Sequence, residues 1–163
     1  MTKSKDKFVA EIFDSVISSW KDIEKSIVFI EREGFGEKAF SDEVLAKDFQ
    51  NKQNIVALLK SSETNAIIGF AYAERMNKKE TAYVCDTVIQ KDFRHKHLIG
   101  TLMNCLEEEL KKRGYKFVER KAAIANDYAK NISKHYNGRI LEQGEPYDTP
   151  YLDGPQVFFR IKL

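Results

Sequence analysis

The spacing of apolar residues along this chain switches repeatedly between the period of a strand and that of a helix. Phe8 to Phe13 alternates loosely, as a half-buried strand does. Behind a capping serine, Ser18 or Ser19, the residues Trp20, Ile23, Ile27 and Ile30 fall at helical spacing, and Gly34 is the expected end of that helix. Ser41 followed by Asp42 and Glu43 marks a second helix start, with Val44, Leu45 and Phe49 on its apolar side and a stop near Asn51. The period then shortens. Ile55 to Leu59, Ile67 to Ala73 and Thr81 to Ile89 read as three strands joined by turns at Ser61 to Asn65 and Asn77 to Glu80, which makes an antiparallel meander. Gly69 inside its strand marks a bulge or a close backbone contact.

A helix follows, with Ile99, Leu102, Met103, Leu106 and Leu110 as its apolar face and Lys111, Lys112 and Arg113 before a terminal Gly114. Tyr115 to Val118 opens the next strand. Because a helix intervenes, this strand is expected to lie parallel to the one ending at Ile89. Gly154 to Leu163 alternates as a final strand, preceded by a loop, Glu145 to Gly154, that carries two prolines, two tyrosines and further acids. The order of elements predicts an α/β (α+β) fold with a mixed, mostly antiparallel sheet flanked by helices.

Composition fits one domain over residues 1–163, since 42% hydrophobic and 12% aromatic residues suffice for one well-filled core. With 27 Lys plus Arg against 25 Asp plus Glu, a net charge of +2 argues against a general nucleic-acid binder, although Lys78, Lys79, Arg94 to His97 and Lys111 to Arg113 form local basic spots. Cys85 and Cys105 lack metal-like spacing and read as buried free thiols, which suits a reducing, cytoplasmic setting. Met1 to Lys7 carries charge with no apolar run behind it, and no segment reaches the length of a membrane span, so neither a leader nor a membrane partner is expected.

The chemistry concentrates between Val88 and Met103, where an apolar strand passes through a basic loop into an amphipathic helix. The first turn of a helix has amides without intrahelical partners and a partial positive charge, so it stabilises an anion. Arg94, His95, Lys96 and His97 add cations there, and Gly100 and Thr101 allow close approach. The plain alternative is a solvated basic turn before a surface helix.

Ile89-x-x-Asp92-Phe93-Arg94 followed by Gly100-Thr101-Leu102-Met103 resembles the acyl-CoA-binding motif of the GNAT N-acetyltransferase superfamily, whose usual form is Val-x-Pro-x-Tyr-Arg-x-x-Gly-x-Gly. Ile89 stands for the Val, Lys91 for the Pro, Phe93 for the Tyr, and Arg94 for the Arg that opens the loop. His97 and Ile99 occupy the glycine positions; Gly100 matches the second glycine if the loop is one residue longer. Asn126 and Ala129, followed by Tyr136 and Gly138, are similar to the family's later motif, in which the usual Tyr position falls by count on Ser133, one helical turn from Tyr136.

The resemblance implies acetyl-CoA as co-substrate and no metal. Its pyrophosphate would be held by residues 94–101, Ile99 among them, and its pantetheine arm would run between splayed strands walled by Val88 and Ile89 on one side and Ala122 to Ala125 on the other. The amide near Ile89 would polarise the thioester carbonyl. Asn126 and Ser133 belong to the same implied binding set, and either Ser133 or Tyr136 can reach the sulfur. The alternative for Tyr136 is a core residue packed with His135. The acceptor pocket would be built by the first two helices, under the loop at 145–154, whose acids and aromatics suit an amine; a solvent-exposed, proline-stiffened hairpin loop is the alternative.

Direct transfer to a primary amine requires a proton acceptor, because an alkylamine with a pKa of about 10.4 is mostly protonated at pH 7. Asp86, in the run Tyr83-Val-Cys-Asp-Thr-Val88, matches an acidic position found in many members of the family. As a base it needs burial or a water relay; otherwise it binds the cation or is a structural acid. His135 is a second candidate base. Cys85, without a basic partner in sequence, implies no covalent intermediate. Two other classes remain: a non-catalytic acyl-CoA-binding regulatory module, and a nucleic-acid-binding domain. A homodimer paired through the final strand is expected if that strand is a sheet edge.

Overall fold

The computed structural model describes residues 7–163, the side chain of Asn126 apart. Seven strands form one sheet in the order β1-β2-β3-β4-β5-β7-β6, from β1 (Phe8–Phe13), β2 (Ile55–Ser61), β3 (Ile67–Arg75), β4 (Thr81–Ile89), β5 (Phe117–Ala123), β6 (Ile140–Gln143) and β7 (Gln156–Lys162). Every neighbouring pair is antiparallel except β4 and β5. Helices α1 (Trp20–Phe35) and α2 (Asp42–Gln50) cover one face, where Trp20, Ile27, Leu45 and Phe49 pack on Val56, Phe70 and Tyr72. On the other face, α3 (Leu98–Lys112) and α4 (Tyr128–His135) pack Leu102, Leu106 and Ile132 against Ala57, Ala71 and Val118. Among the described residues no helix is long and apolar enough to cross a membrane.

The expected helices and meander form, with Ser19 and Ser41 as N-caps accepting from the amides of Lys21 and Val44. Gly69 sits at a register shift between β2 and β3, and a Cβ there would lie 2.9 Å from the Val88 carbonyl oxygen.

Three expectations need correction. Helix α1 does not stop at Gly34 but runs to Phe35, and Gly36, with φ of 56°, takes the left-handed terminal position. Gly34 is small because α1 crosses β4 there: a Cβ on it would lie 2.7 Å from Val88 Cγ1. Ile99 is 41% exposed, and the apolar face of α3 is completed instead by Leu98, one residue earlier, because the helix begins at Leu98. The last strand is no edge. β7 inserts between β5 and β6, so β1 and β6 are the edges and β7 has no free hydrogen-bonding side to offer a second copy.

Two irregularities in β4 position the site. Tyr72 pairs with Asp86 and Ala73 with Val84, so Cys85 is an extra residue that bends the strand. Parallel pairing with β5 covers Thr81↔Phe117, Ala82↔Val118 and Tyr83↔Glu119 and goes no further. The closed end of this pair is pinned by Glu119, whose buried carboxylate accepts from Lys78 Nζ at 2.6 Å and Arg160 Nη1 at 2.9 Å.

Candidate active site

Beyond Tyr83 and Glu119 the two central strands part, and the gap is spanned by one side chain. Arg120, on the first residue of β5 past the pairing, is 8% exposed; its Nη2 donates to Thr87 Oγ1 of β4 at 3.4 Å, its Nη1 lies 3.8 Å from Met103 Sδ of α3, and its Nε is buried with no partner. Tyr136, just past the end of α4, is fully buried in the core on this face. Its hydroxyl lies beside Glu107 of α3 and Arg120 without a well-formed hydrogen bond to either; burial raises its pKa above the ordinary phenol value, which the Arg120 charge partly opposes. Ser133 is half-buried one turn earlier, and His135 is exposed with its ring edge-on to Tyr136 at 4.6 Å.

The open end of the gap meets the basic loop. Lys91 to Phe93 form a single 3-10 turn whose first amide, that of Lys91, donates to the Glu33 carboxylate of α1. Arg94 Nε donates to the Ile89 carbonyl at 2.8 Å, so this side chain closes the end of β4 instead of reaching into solvent. His95, Lys96 and His97 are exposed, and Lys96 Nζ lies 5.4 Å from the centre of the Phe93 ring. His97 is the residue before α3 and takes φ of 57°, the left-handed conformation that glycine adopts most readily. His95, with φ of 62°, is left-handed as well, so two histidines of this loop take a backbone that favours glycine. Unlike α1 and α2, α3 has neither a side-chain cap nor an acid in its first turn. Its first amides, at Leu98, Ile99, Gly100 and Thr101, are left for another partner. A Cβ at Gly100 would meet nothing within 4 Å.

On the opposite face the bulge points Cys85 and Asp86 toward α1 and α2. Glu31 of α1 is 1% exposed; its Oε1 accepts from the Phe40 amide at 2.9 Å, while its Oε2 and Asp86 Oδ2 are buried without a donor. The two carboxyls lie close enough for each to act on the other. Burial, then the Glu31 charge, pushes the Asp86 carboxyl well above the ordinary carboxylate range, and burial also raises Glu31. Tyr72 donates to Asp48 Oδ2 at 3.1 Å beside this pair. Burial likewise holds the Cys85 thiol protonated.

The 145–154 loop returns to this face. Its Tyr147 forms a two-way backbone bridge with Gln156, at 3.0 and 2.8 Å, that sets the ring near Tyr83, and Pro150 accepts from Lys38 Nζ at 3.0 Å. Asp86 therefore lies among Glu31, Asp48, Tyr72 and Tyr83, while His135 is not among the groups that act on it.

A sequence model described as "Acetyltransferase (GNAT) family" matches residues 20–134 of this chain. The chain belongs to the GNAT acetyltransferase family. No curated protein sequence matches it. Solved structures with the same fold include the Escherichia coli ribosomal-protein-S18-alanine N-acetyltransferase, at 14% identity and a TM-score of 0.72 over 95% of this chain and 93% of that one. A GNAT acetyltransferase of Elizabethkingia anophelis with acetyl-CoA bound aligns at 15% identity and 0.64 over 98% and 100%. The PaiA N-acetyltransferase of Thermoplasma acidophilum in complex with coenzyme A aligns at 17% and 0.66 over 94% and 99%.

Within this GNAT chain, the features that fit an acyl-CoA are the open space at Gly100, the uncapped start of α3 and the unpaired lengths of β4 and β5. Val88 and Ile89 are each 5% exposed, Val88 packing against Gly34 of α1; of the wall expected from Ala122 to Ala125, Ala122 is buried, Ala123 half-buried, and Ile124 and Ala125 exposed. The Asn126 side chain lies outside the described part. Sequence reasoning missed Glu31, Glu107 and Arg120. A signal for each was present: Glu31 follows Ile27 by four residues, Glu107 follows Met103 by four, and Arg120 stands between Val118 and Ala122 at strand spacing, so all three are charges on apolar faces.

Proposed function

We propose that this chain, working as one cytoplasmic domain, transfers the acetyl group of acetyl-CoA directly to a primary amine. Residues 95–101 and the first amides of α3 hold the pyrophosphate, the apolar walls Val88, Ile89 and Ala122 receive the pantetheine arm, and Asn126 and Ser133 complete the binding set. Acetyl-CoA supplies the activated acyl group. Asp86 takes the proton that the acceptor's ammonium must lose before the neutral amine attacks, Glu31 holds the adjoining proton, and Tyr136 faces the sulfur from the other side of the sheet. The acceptor enters over α1 and α2, where Glu31, Asp48, Tyr72, Tyr83 and Tyr147 favour a cation. The observation that carries the reading is the parting of β4 from β5 between an uncapped helix start and a pair of carboxyls with buried oxygens that no donor meets. A carboxyl raised by burial is a better match to an amine than one in its ordinary range.

The test pairs binding with turnover. Acetyl-CoA at a hundredfold excess over its Kd should raise unfolding stability by about 2.7 kcal/mol. Gly100→Asp is the informative variant: its side chain enters open space and an acid in a first turn suits the helix dipole, so the fold is kept while the pyrophosphate is repelled. Stabilisation in the wild type that this variant loses, with thiol release on adding a panel of di- and monoamines, supports the transferase. Stabilisation without thiol release for any amine would leave a non-catalytic acyl-CoA-binding module, and no stabilisation at millimolar acetyl-CoA would sink both.

A further inference from the structure

Arg120 is a buried cation without a counter-ion. Among the described residues no carboxylate oxygen comes within ion-pair distance of its guanidinium, and its contacts, a hydroxyl at 3.4 Å and a thioether at 3.8 Å, are neutral and long. A desolvated charge so poorly met costs several kcal/mol, and it is held where the sheet has opened a gap. Around it stand Glu107 of α3, Tyr136 just past α4, and Tyr83 and Asp86 of β4; its field reaches the last three of these. Glu107, 5% exposed, has its Oε1 4.0 Å from Arg139 and without a hydrogen bond. Neither carboxyl of this cluster, Glu107 or Asp86, forms an ion pair with Arg120.

We propose that Arg120, with Tyr136, binds the sulfur of coenzyme A as the thiolate leaving group, making Arg120 a catalytic residue of the acetyl transfer. The inference rests on the acetyl-transfer reading above. In the step it serves, a C–N bond forms between the amine and the acetyl carbon and the C–S bond breaks. The electron pair of that bond stays on sulfur, and the proton lost by the amine ends on the Asp86 side of the sheet. The new negative charge thus appears on one side of β4 and the released proton on the other. A preorganised guanidinium stabilises that charge without waiting for a proton, and Tyr136, which burial keeps protonated, donates a hydrogen bond to the same atom. Arginine suits this task because it stays charged when buried.

The test reads the product complex, not turnover. A free thiol titrates at about 8.5. Coenzyme A bound to the wild type should titrate at least one unit lower, followed by the ultraviolet absorbance of the thiolate, and its Kd at pH 8.5 should rise about fivefold or more in Arg120→Met. Arg120→Lys should restore part of the effect. Desulfo-coenzyme A, which has no sulfur, should bind wild type and Arg120→Met alike, showing that the site is still folded. Bound coenzyme A that titrates as it does free, or a lowered value that survives in Arg120→Met, overturns the role of Arg120 while leaving the transferase standing. A wild type that binds neither coenzyme A nor its desulfo analogue overturns the acetyl-transfer reading and this inference together.

Discussion

At the scale of single residues, the site is made of charges that stand where an apolar side chain would serve the fold better. Glu31 and Asp86 show the cost. Both carboxyls are raised by burial, so the folded protein holds protons there that the unfolded chain releases at ordinary carboxylate pKa values. The stabilising contribution is therefore fully present below about pH 4 and is lost as pH rises through the raised values. Asp86→Asn and Glu31→Gln remove that liability. Their thermal midpoints relative to wild type should climb as pH rises above about 4, and a difference flat in pH would show that the two carboxyls are not raised as described. Activity runs the other way: Asp86 accepts a proton only when ionised, so the acid limb of the kcat/KM profile should lie above the ordinary carboxylate range, and Asp86→Asn should lose it with a fall of about 10²–10⁴ in rate. Asp86 was legible because a strand acid just before the basic loop is conspicuous. Glu31 was not, since sequence alone gives no sign that an acid on α1 and one on β4 meet across the layer between helix and sheet.

At the scale of elements, what was legible followed from local chemistry and what was not depended on neighbours. Serine caps, apolar stripes and turn residues fixed α1, α2, α3 and the β2–β4 meander. The four residues of β6 escaped because three of them are exposed, so no alternation marks them, and the insertion of β7 between β5 and β6 is set by the long 144–155 connection, not by any pattern within either strand. The turns of the basic loop were hidden for a similar reason: His95 and His97 both accept a left-handed backbone that a reader assigns to glycine. Gly34 is the converse, a glycine read as a helix end that is needed for a close crossing. Alanine there gains up to about 1 kcal/mol of helix propensity but places a methyl 2.7 Å from the stiff Val88 Cγ1. Overpacking of this kind costs about 1–3 kcal/mol, so Gly34→Ala should be destabilising by chemical denaturation, and Val88→Ala in the same chain should relieve the clash. Simple addition of the two single effects would mean that helix and strand do not meet there.

At the scale of the whole molecule, the sheet is two antiparallel halves, β1-β2-β3-β4 and β5-β7-β6, joined by three residues of parallel pairing, by the Glu119 ion cluster and by the core that α3 and α4 share beneath them. Past Tyr83 and Glu119 the facing edges of β4 and β5 have no strand partner, so alternate amides over 84–89 and 120–123 depend on solvent or a ligand. Local opening is easiest where backbone groups are unpaired. A pantetheine arm lying along that gap would take the place of a strand and couple the halves. Hydrogen exchange should therefore slow on adding acetyl-CoA at 84–89, at 95–101 and at the start of β5 beyond the slowing that overall stabilisation imposes on β1 and β2. The same comparison on Gly100→Asp should show none of it. If acetyl-CoA slowed exchange equally throughout the chain, the ligand would be acting on global stability from elsewhere, and the open edge between the halves would have to be explained by some other occupant.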